Sequence, residues 1–450
     1  MYDVAVIGGG IAGSMAALGA ARYGAKVILI EQYGFLGGTL TACGTGPMMT
    51  FHSGDVQVIQ GITGELIERL KARKYSPGHI FDTTGYTYTV TPFSAEGMKA
   101  ELEYMMEEAG VDLLYHSVVC DVDFRDTKLN SIEVYGKNGK RKIKAKIFVD
   151  ASGDCDITYL CGLPYTKGRE ADGKSQPLTM NFKVINVDIE KVKRYINENN
   201  DEFPRLKGDL GKVYRSERLS IGGFVKTLKN ARTAGTISFD REDILFFETD
   251  TEGEVIVNTT RVINVDPTDP EQLTFAEIEG RRQAREVFEL LKSKVSGFEN
   301  ANLEFTGPFI GVRSSRQIKG KYTLSANDIL SCREFEDTIA KGGYPIDVHS
   351  PDGKDDKMYE EGSNALKYGD IYNIPYSSLI STDASNLITV GRCISATFEA
   401  QAAIRVSPNA GAIGHGGGVA AGICALKNID VNTIDTDMLR EELIKQGAYL

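Results

Sequence analysis

The run GGGIAG at residues 8–13 constrains this chain more than any other feature, because it sits between two segments of opposite character. Before it, Tyr2 to Ile7 is a short apolar strand; after it, Ile11 to Tyr23 carries alanine-rich helical spacing. Gly8, Gly10 and Gly13 stand where missing side chains permit a tight turn, close approach of a pyrophosphate to the backbone, and close helix packing. The helix then opens at Ile11 and Ala12, whose unpaired N–H groups face the phosphates. Val27 to Ile30 is a second apolar run of the kind buried in a parallel sheet, and it completes a βαβ unit. Glu31, with Gln32 beside it, follows that strand where a carboxylate accepts hydrogen bonds from a ribose diol. A GxGxxG run alone is weak evidence, and its weight here comes from the strand, helix and acidic residue around it.

The rest of the composition narrows the class. A chain of 450 residues is long enough for two or three domains. With 42% apolar and 25% charged residues it is an ordinary globular protein, and its 48 glycines ask where backbone must approach something closely. A net charge of -11 repels a phosphate backbone and argues against a nucleic-acid partner. The one basic run, Lys137 to Lys146, reads as a hairpin turning at Asn138-Gly139. No apolar stretch approaches the ~20 residues of a membrane span, and a strand starting at Tyr2 leaves no room for a signal peptide, so a cytoplasmic location is expected. The 7 cysteines are scattered without a CxxC pair, which predicts reduced thiols and no metal site.

Helical spacing returns from Phe93 to Ala109, and Val111 to Val122, Ser131 to Tyr135 and Lys142 to Phe148 look like a β-meander. From about Leu163 to Ile371 charged helices such as Ile189 to Asn199 alternate with strands such as Glu254 to Asn258. One helix there is expected to start with Thr274 and Glu277 as a capping box and to bury Ile278, Val287, Phe288 and Leu291 on one stripe. A strand at Leu387 to Val390, a turn at Gly391 and a small-residue helix from Pro408 to Leu426, capped by Ser407, follow. The expected organisation is α/β: a nucleotide domain made of residues 1–162 and 371–450, interrupted by a substrate domain at 163–370.

Gly37-Gly38-Thr39, within GFLGGTLT, adds a second glycine motif shortly after the acidic residue. Further segments follow in order: PFSAEGMK (Pro92 to Lys99), VDASGDCD (Val149 to Asp156), GVRSSRQIKG (Gly311 to Gly320), GGYPIDVHSPDG (Gly342 to Gly353), IPYSSLI and NLITVGRCISATFEA. Together they resemble the bacterial FAD-dependent oxidoreductase family, related to the flavoprotein subunits of fumarate reductase and succinate dehydrogenase. The resemblance implies a Rossmann-like, GR2-type FAD-binding domain with an inserted α+β substrate domain. It implies that Gly37, Gly38 and Thr39 line the flavin, that Val119 lies by the adenine, and that Ala151, Ser152, Gly153 and Asp154 form a second turn near the cofactor. Gly391 and Arg392 would close over it. The helix carrying Asn409, Ala410, Gly411 and Ala412 would aim its N-terminus at the flavin pyrimidine ring, where its dipole favours negative charge; tight packing of its glycines is the other reading. Thr39 stands where covalent relatives place a histidine, so the FAD is expected to be noncovalent. Relatives commonly carry Thr-Cys where this chain has Asn409-Ala410, Arg at Ser377, His at Phe398 and Glu at Ser314.

A flavin dehydrogenase or reductase also needs a side chain that moves the proton accompanying the hydride. His52 follows the flavin-lining segment and is the first candidate. Arg313 and Arg316 are candidates for gripping a carboxylate or a developing oxyanion, and Arg405, Tyr376 and His349 are weaker ones of the same kind. No second GxGxxG occurs for a tightly bound pyridine nucleotide, and Cys43 lacks the nearby partner of a redox-active disulfide. The expected activity is hydride transfer between FAD and a small polar organic substrate, with the electron donor or acceptor and any homo-oligomerisation left open. The alternatives are an electron-transfer flavoprotein subunit of a larger complex and a flavin-assisted reaction without net redox.

Overall fold

Strands from both ends of the chain meet in one sheet. In the computed structural model, which describes residues 1–353 and 365–450, the order is Leu387–Thr389, Ala145–Asp150, Tyr2–Ile7, Val27–Ile30, Asp112–Leu114. Every pairing in it is parallel, and Ile7 lies opposite both Asp150 and Ile30. The glycine turn after Ile7 and the turn after Asp150 therefore emerge side by side at the carboxyl edge, where ligands of open α/β sheets bind. The fold is α/β with a Rossmann-like parallel sheet.

The helix Ile11–Arg22 and the long helix Ser407–Lys427 lie against each other and both pack on this sheet, buried along most of their length. Small residues make that contact possible: a Cβ on Gly414 would lie 2.0 Å from the Ala12 carbonyl oxygen, and one on Gly418 2.1 Å from that of Ala16. Ser407 is already inside the helix and Val406 holds the cap position. A short helix that the sequence reading missed, Phe398–Ile404, precedes it, capped by the Thr397 side chain on the Ala400 N–H.

The expected meander is divided between two sheets. Asp112–Leu114 joins the parallel sheet, whereas Val118–Arg125, Lys128–Gly136 and Gly139–Ile143 form an antiparallel ribbon. The run Lys142 to Phe148 breaks at Lys144, because Gly139–Ile143 pairs within the ribbon while Ala145–Asp150 turns into the parallel sheet. The Asn138-Gly139 turn closes the hairpin, with Gly139 at φ 97 where a side chain would be strained.

A second core is built on a five-stranded antiparallel sheet in the order Ser220–Gly223, Ile244–Glu248, Val255–Val257, Phe182–Ile185, Asn302–Thr306. Phe182, Phe203, Phe224, Phe246 and Phe298 fill it. The helix over it runs Pro270–Lys294 and starts earlier than expected. Pro270 fits the first turn, where its missing N–H costs nothing, and Asp269 accepts from the N–H groups of Glu271 and Gln272. Thr274 is consequently interior, bonded to the Pro270 carbonyl, and Ile278 is 65% exposed while Val287, Phe288 and Leu291 are buried. Leu324, Ile329, Ile339 and Val348 pack with the parallel-sheet core, not with this one. Among the described residues no helix is long and apolar enough to cross a membrane.

Candidate functional site

A cavity of about 630 Å³ runs from the glycine turns of the parallel sheet to the second core. Its first end is made of backbone. Gly8 takes φ 101, and a Cβ there would lie 2.3 Å from the Ala151 carbonyl oxygen, so two turns are pressed together at the sheet edge. Gly13 is closed in the same way, its Cβ position lying 1.8 Å from the Gly8 oxygen. Gly10 differs: nothing nearer than the Gly38 Cα at 3.8 Å would meet its Cβ, and it faces the cavity at the start of the helix. Its bare face and the free N–H groups of the first helical turn form a cradle that fits a pyrophosphate.

Glu31 lies at the end of the second strand, buried but bordering the cavity. Its two oxygens accept from the Gly9 N–H at 2.6 Å and the Tyr33 N–H at 2.8 Å. Burial pushes its carboxyl pKa up, and these backbone bonds oppose that. Each oxygen keeps a lone pair for a further donor. We expect Glu31→Gln to fold and to reduce FAD content several-fold after purification in dilute buffer, since an amide accepts at only one of the two atoms; full retention of FAD, read from the ratio of flavin to protein absorbance, would remove Glu31 from the binding set.

Gln32, Gly38, Thr39, Val119, Ala151, Ser152, Gly153, Asp154, Gly391, Arg392 and Ala410 also border the cavity, with Ile11 and Ala12. Asp150 holds the second turn in place, its carboxylate accepting from Ser152, Ile157 and Thr158 N–H groups. Asp154 receives Arg392 Nη2 at 2.8 Å and Ser315 Oγ at 2.6 Å. Arg392 Nε is buried with no hydrogen-bond partner, a donor left over for a group in the cavity.

Other predicted residues stand behind the wall. Gly37 shapes the turn, its N–H donating to the Gly9 carbonyl at 2.9 Å. Asn409 donates to the Tyr372 hydroxyl at 2.6 Å and the Ala403 carbonyl at 3.0 Å, and Gly411 packs on Thr63. Neither these nor Ala412 is among the lining residues, so of the helix start only Ser407 and Ala410 reach the cavity. His52 is also outside it, with Nδ1 3.1 Å from Thr89 Oγ1 and its ring against His79. Arg316 is spent on Asp154 and Asp156, and the Tyr376 hydroxyl on the Val431 carbonyl.

The second end of the cavity is polar. Arg313 comes from the segment after Ile310, Tyr344, Asp347 and His349 from the loop after Thr338–Gly342, and Arg405 from the end of the helix Phe398–Ile404. Asp347 Oδ2 is the hub: the Tyr344 hydroxyl lies 3.2 Å away, His349 Nε2 3.2 Å and Arg405 Nη2 3.3 Å. Burial opposes ionisation of Asp347, but His349, Arg405 and Arg313 around it overcome that and hold its carboxyl below the usual range. Burial also lowers the His349 imidazole to about 4, leaving it neutral near pH 7, and raises the Tyr344 hydroxyl well above its ordinary value. Sequence reasoning missed Tyr344 and Asp347, although GGYPIDVHSPDG had drawn attention to their segment.

Similarity to known proteins agrees with this geometry. The sequence profile of the family described as FAD dependent oxidoreductase matches residues 3–443. The chain is 28% identical over 190 residues to digeranylgeranylglycerophospholipid reductase 2 of Methanothermobacter thermautotrophicus, which covers 42% of this chain and 48% of that protein. It is 26% identical over 161 residues to dihydrolipoamide dehydrogenase of Chaetomium thermophilum, covering 36% of this chain and 30% of that one. These curated relatives are thus matched over half their length or less. The crystal structure of CmlS, a flavin-dependent halogenase, superposes with a TM-score of 0.50 at 12% identity, covering 99% of this chain and 61% of that chain, a likeness of fold alone.

Proposed function

This chain belongs to the FAD dependent oxidoreductase family, and from that premise we propose that it moves a hydride between noncovalently held FAD and a small polar organic substrate. The observation that carries this reading is the continuity of one cavity between a dinucleotide cradle and a cluster of ionisable side chains. Gly8, Gly10, Glu31, Gly38, Thr39 and Arg392 would hold the cofactor, which when bound supplies a two-electron acceptor or donor.

The proton is the task of the chain itself. Tyr344, raised in pKa, keeps its proton and donates, while neutral His349 accepts; both are oriented by Asp347. Role assignment thereby passes from His52, which borders no part of the cavity, to this pair. The set of motifs from GGTLTA to NLITVGRC supports a closer kinship with the fumarate reductase and succinate dehydrogenase flavoproteins, and the net charge of -11 supports a protein without nucleic-acid partners. Its electron partner and self-association belong to the same proposal.

The test is an anaerobic titration of the purified, FAD-loaded protein with candidate substrates and reductants while the visible spectrum is followed. Bleaching or recovery of the flavin band with a small molecule is the expected result. If only a protein partner exchanges electrons, the electron-transfer subunit reading replaces this one.

A further inference from the structure

Building on the oxidoreductase reading, we propose that the substrate is an organic carboxylate seated between the guanidinium groups of Arg313 and Arg405. The basis is a charge imbalance at that end of the cavity. Arg313 lies deep in the protein with part of its surface on the cavity, and its hydrogen bonds go to neutral acceptors, the Pro177 carbonyl at 2.7 Å and Thr179 Oγ1 at 2.5 Å. Among the described residues no carboxylate lies within ion-pair distance of it.

Arg405 is paired only through Nη2, to Asp347, and its Nε is buried without a hydrogen-bond partner. Asp347 is the one carboxylate these two cations share, and it already accepts from Tyr344. Among the described residues, Arg313 and Arg405 thus have one carboxylate between them. Farther out, Arg261 meets Glu242 at 2.9 Å, and Arg205 and Arg241 share Asp243, at 2.5 Å and 3.7 Å.

A buried cation left uncompensated is costly, and a removable anion offsets that cost. The geometry selects the kind of anion. Planar guanidinium forks match a planar carboxylate in two parallel hydrogen bonds. Burial first, and the neighbouring Arg405 second, bring the Arg313 guanidinium down to about 9.

The experiment uses FAD-loaded protein at constant ionic strength and probes it with acetate, glycolate, acetamide, glycolamide and inorganic phosphate, by isothermal titration and by thermal melting. We expect the carboxylates to bind and to raise the melting temperature, and the amides to do neither. Arg313→Met and Arg405→Met should each weaken carboxylate binding at least tenfold with FAD content retained. Without any anion, Arg313→Met should melt at or above the wild-type temperature, because it removes an uncompensated buried charge; a structural arginine would show the reverse. Arg313→Lys, which keeps the charge and loses the fork, should bind with intermediate affinity. Equal binding of amides and carboxylates, preference for phosphate, or unchanged carboxylate affinity in Arg313→Met overturns the proposal. Flavin bleaching by a neutral substrate alone would overturn it and leave the oxidoreductase reading standing. Carboxylate binding without bleaching by any small molecule would do the opposite.

Discussion

A Gly10→Asp chain is expected to fold as well as the wild type and to lose FAD. The two halves of that statement have separate causes. Gly10 sits at φ -63 and ψ 175, extended backbone that any residue adopts, and its Cβ would meet nothing closer than 3.8 Å, so the substitution introduces neither strain nor collision. It occupies the cap position of the helix Ile11–Arg22, which has no side-chain cap, and aspartate is among the best capping residues, worth about 1 kcal/mol. The same carboxylate would consume the N–H groups offered to a pyrophosphate and set a negative charge against it. We expect an affinity for FAD at least ~100-fold weaker, about 2.7 kcal/mol, by fluorescence titration, with apoprotein melting unchanged or raised. Wild-type affinity in this variant would mean that the cofactor does not pass over Gly10. The neighbouring Gly13→Ala is the contrast: its Cβ would lie 1.8 Å from the Gly8 carbonyl oxygen, so it should fail in folding before any question of affinity arises.

The difference between these two glycines shows what kind of information the sequence carries. GGGIAG, Val27 to Ile30 and Glu31 were legible because a strand, a turn and a helix follow within thirty-odd residues and each has a local signature. The closing strand Leu387–Thr389 was also readable from its apolar run and the glycine after it. The polar end of the cavity was harder to read. Arg313, Tyr344, Asp347 and Arg405 come from separate segments, and their meeting depends on the chain returning from the second core to the first at Leu324 and Ile339. No periodicity records such a return. His52 stands outside the cavity for a related reason: the segment after Gly37-Gly38-Thr39 follows the cavity wall from Ala42 to Met49 and leaves it only then, so the half-buried ring packs against His79. The helix start at Thr274 was misread because a capping-box spacing was preferred to Asp269-Pro270, the pair that satisfies the first turn. Glycines in the last helix were ambiguous in sequence between a bare face for a ligand and a bare face for another helix, and Gly414 and Gly418 fall to the second reading.

That assignment makes the other large effect foreseeable. Gly414 and Gly418 are one helical turn apart, and they meet Ala12 and Ala16, which are one turn apart on the first helix. At both positions the atoms in the way are backbone, which cannot rotate aside, so Gly418→Val must push two buried helices apart along their contact. Overpacking of a core side chain typically costs 1–3 kcal/mol, and a collision of 2.1 Å with a main-chain oxygen belongs above that range. We expect Gly418→Val to give little soluble protein, or a urea midpoint lowered by more than a third. Gly422→Ala, where the Cβ would sit 3.2 Å from the Ala20 oxygen, requires a shift of only a few tenths of an ångström and should be mild. Because the displaced helix begins at Ile11, its movement would also disturb the turn at Gly8 and Gly10, so whatever Gly418→Val protein does fold should hold FAD poorly. Normal melting and normal FAD content in that variant would mean that the two ends of the chain are not locked together through these helices, and that the cradle owes its shape to the sheet alone.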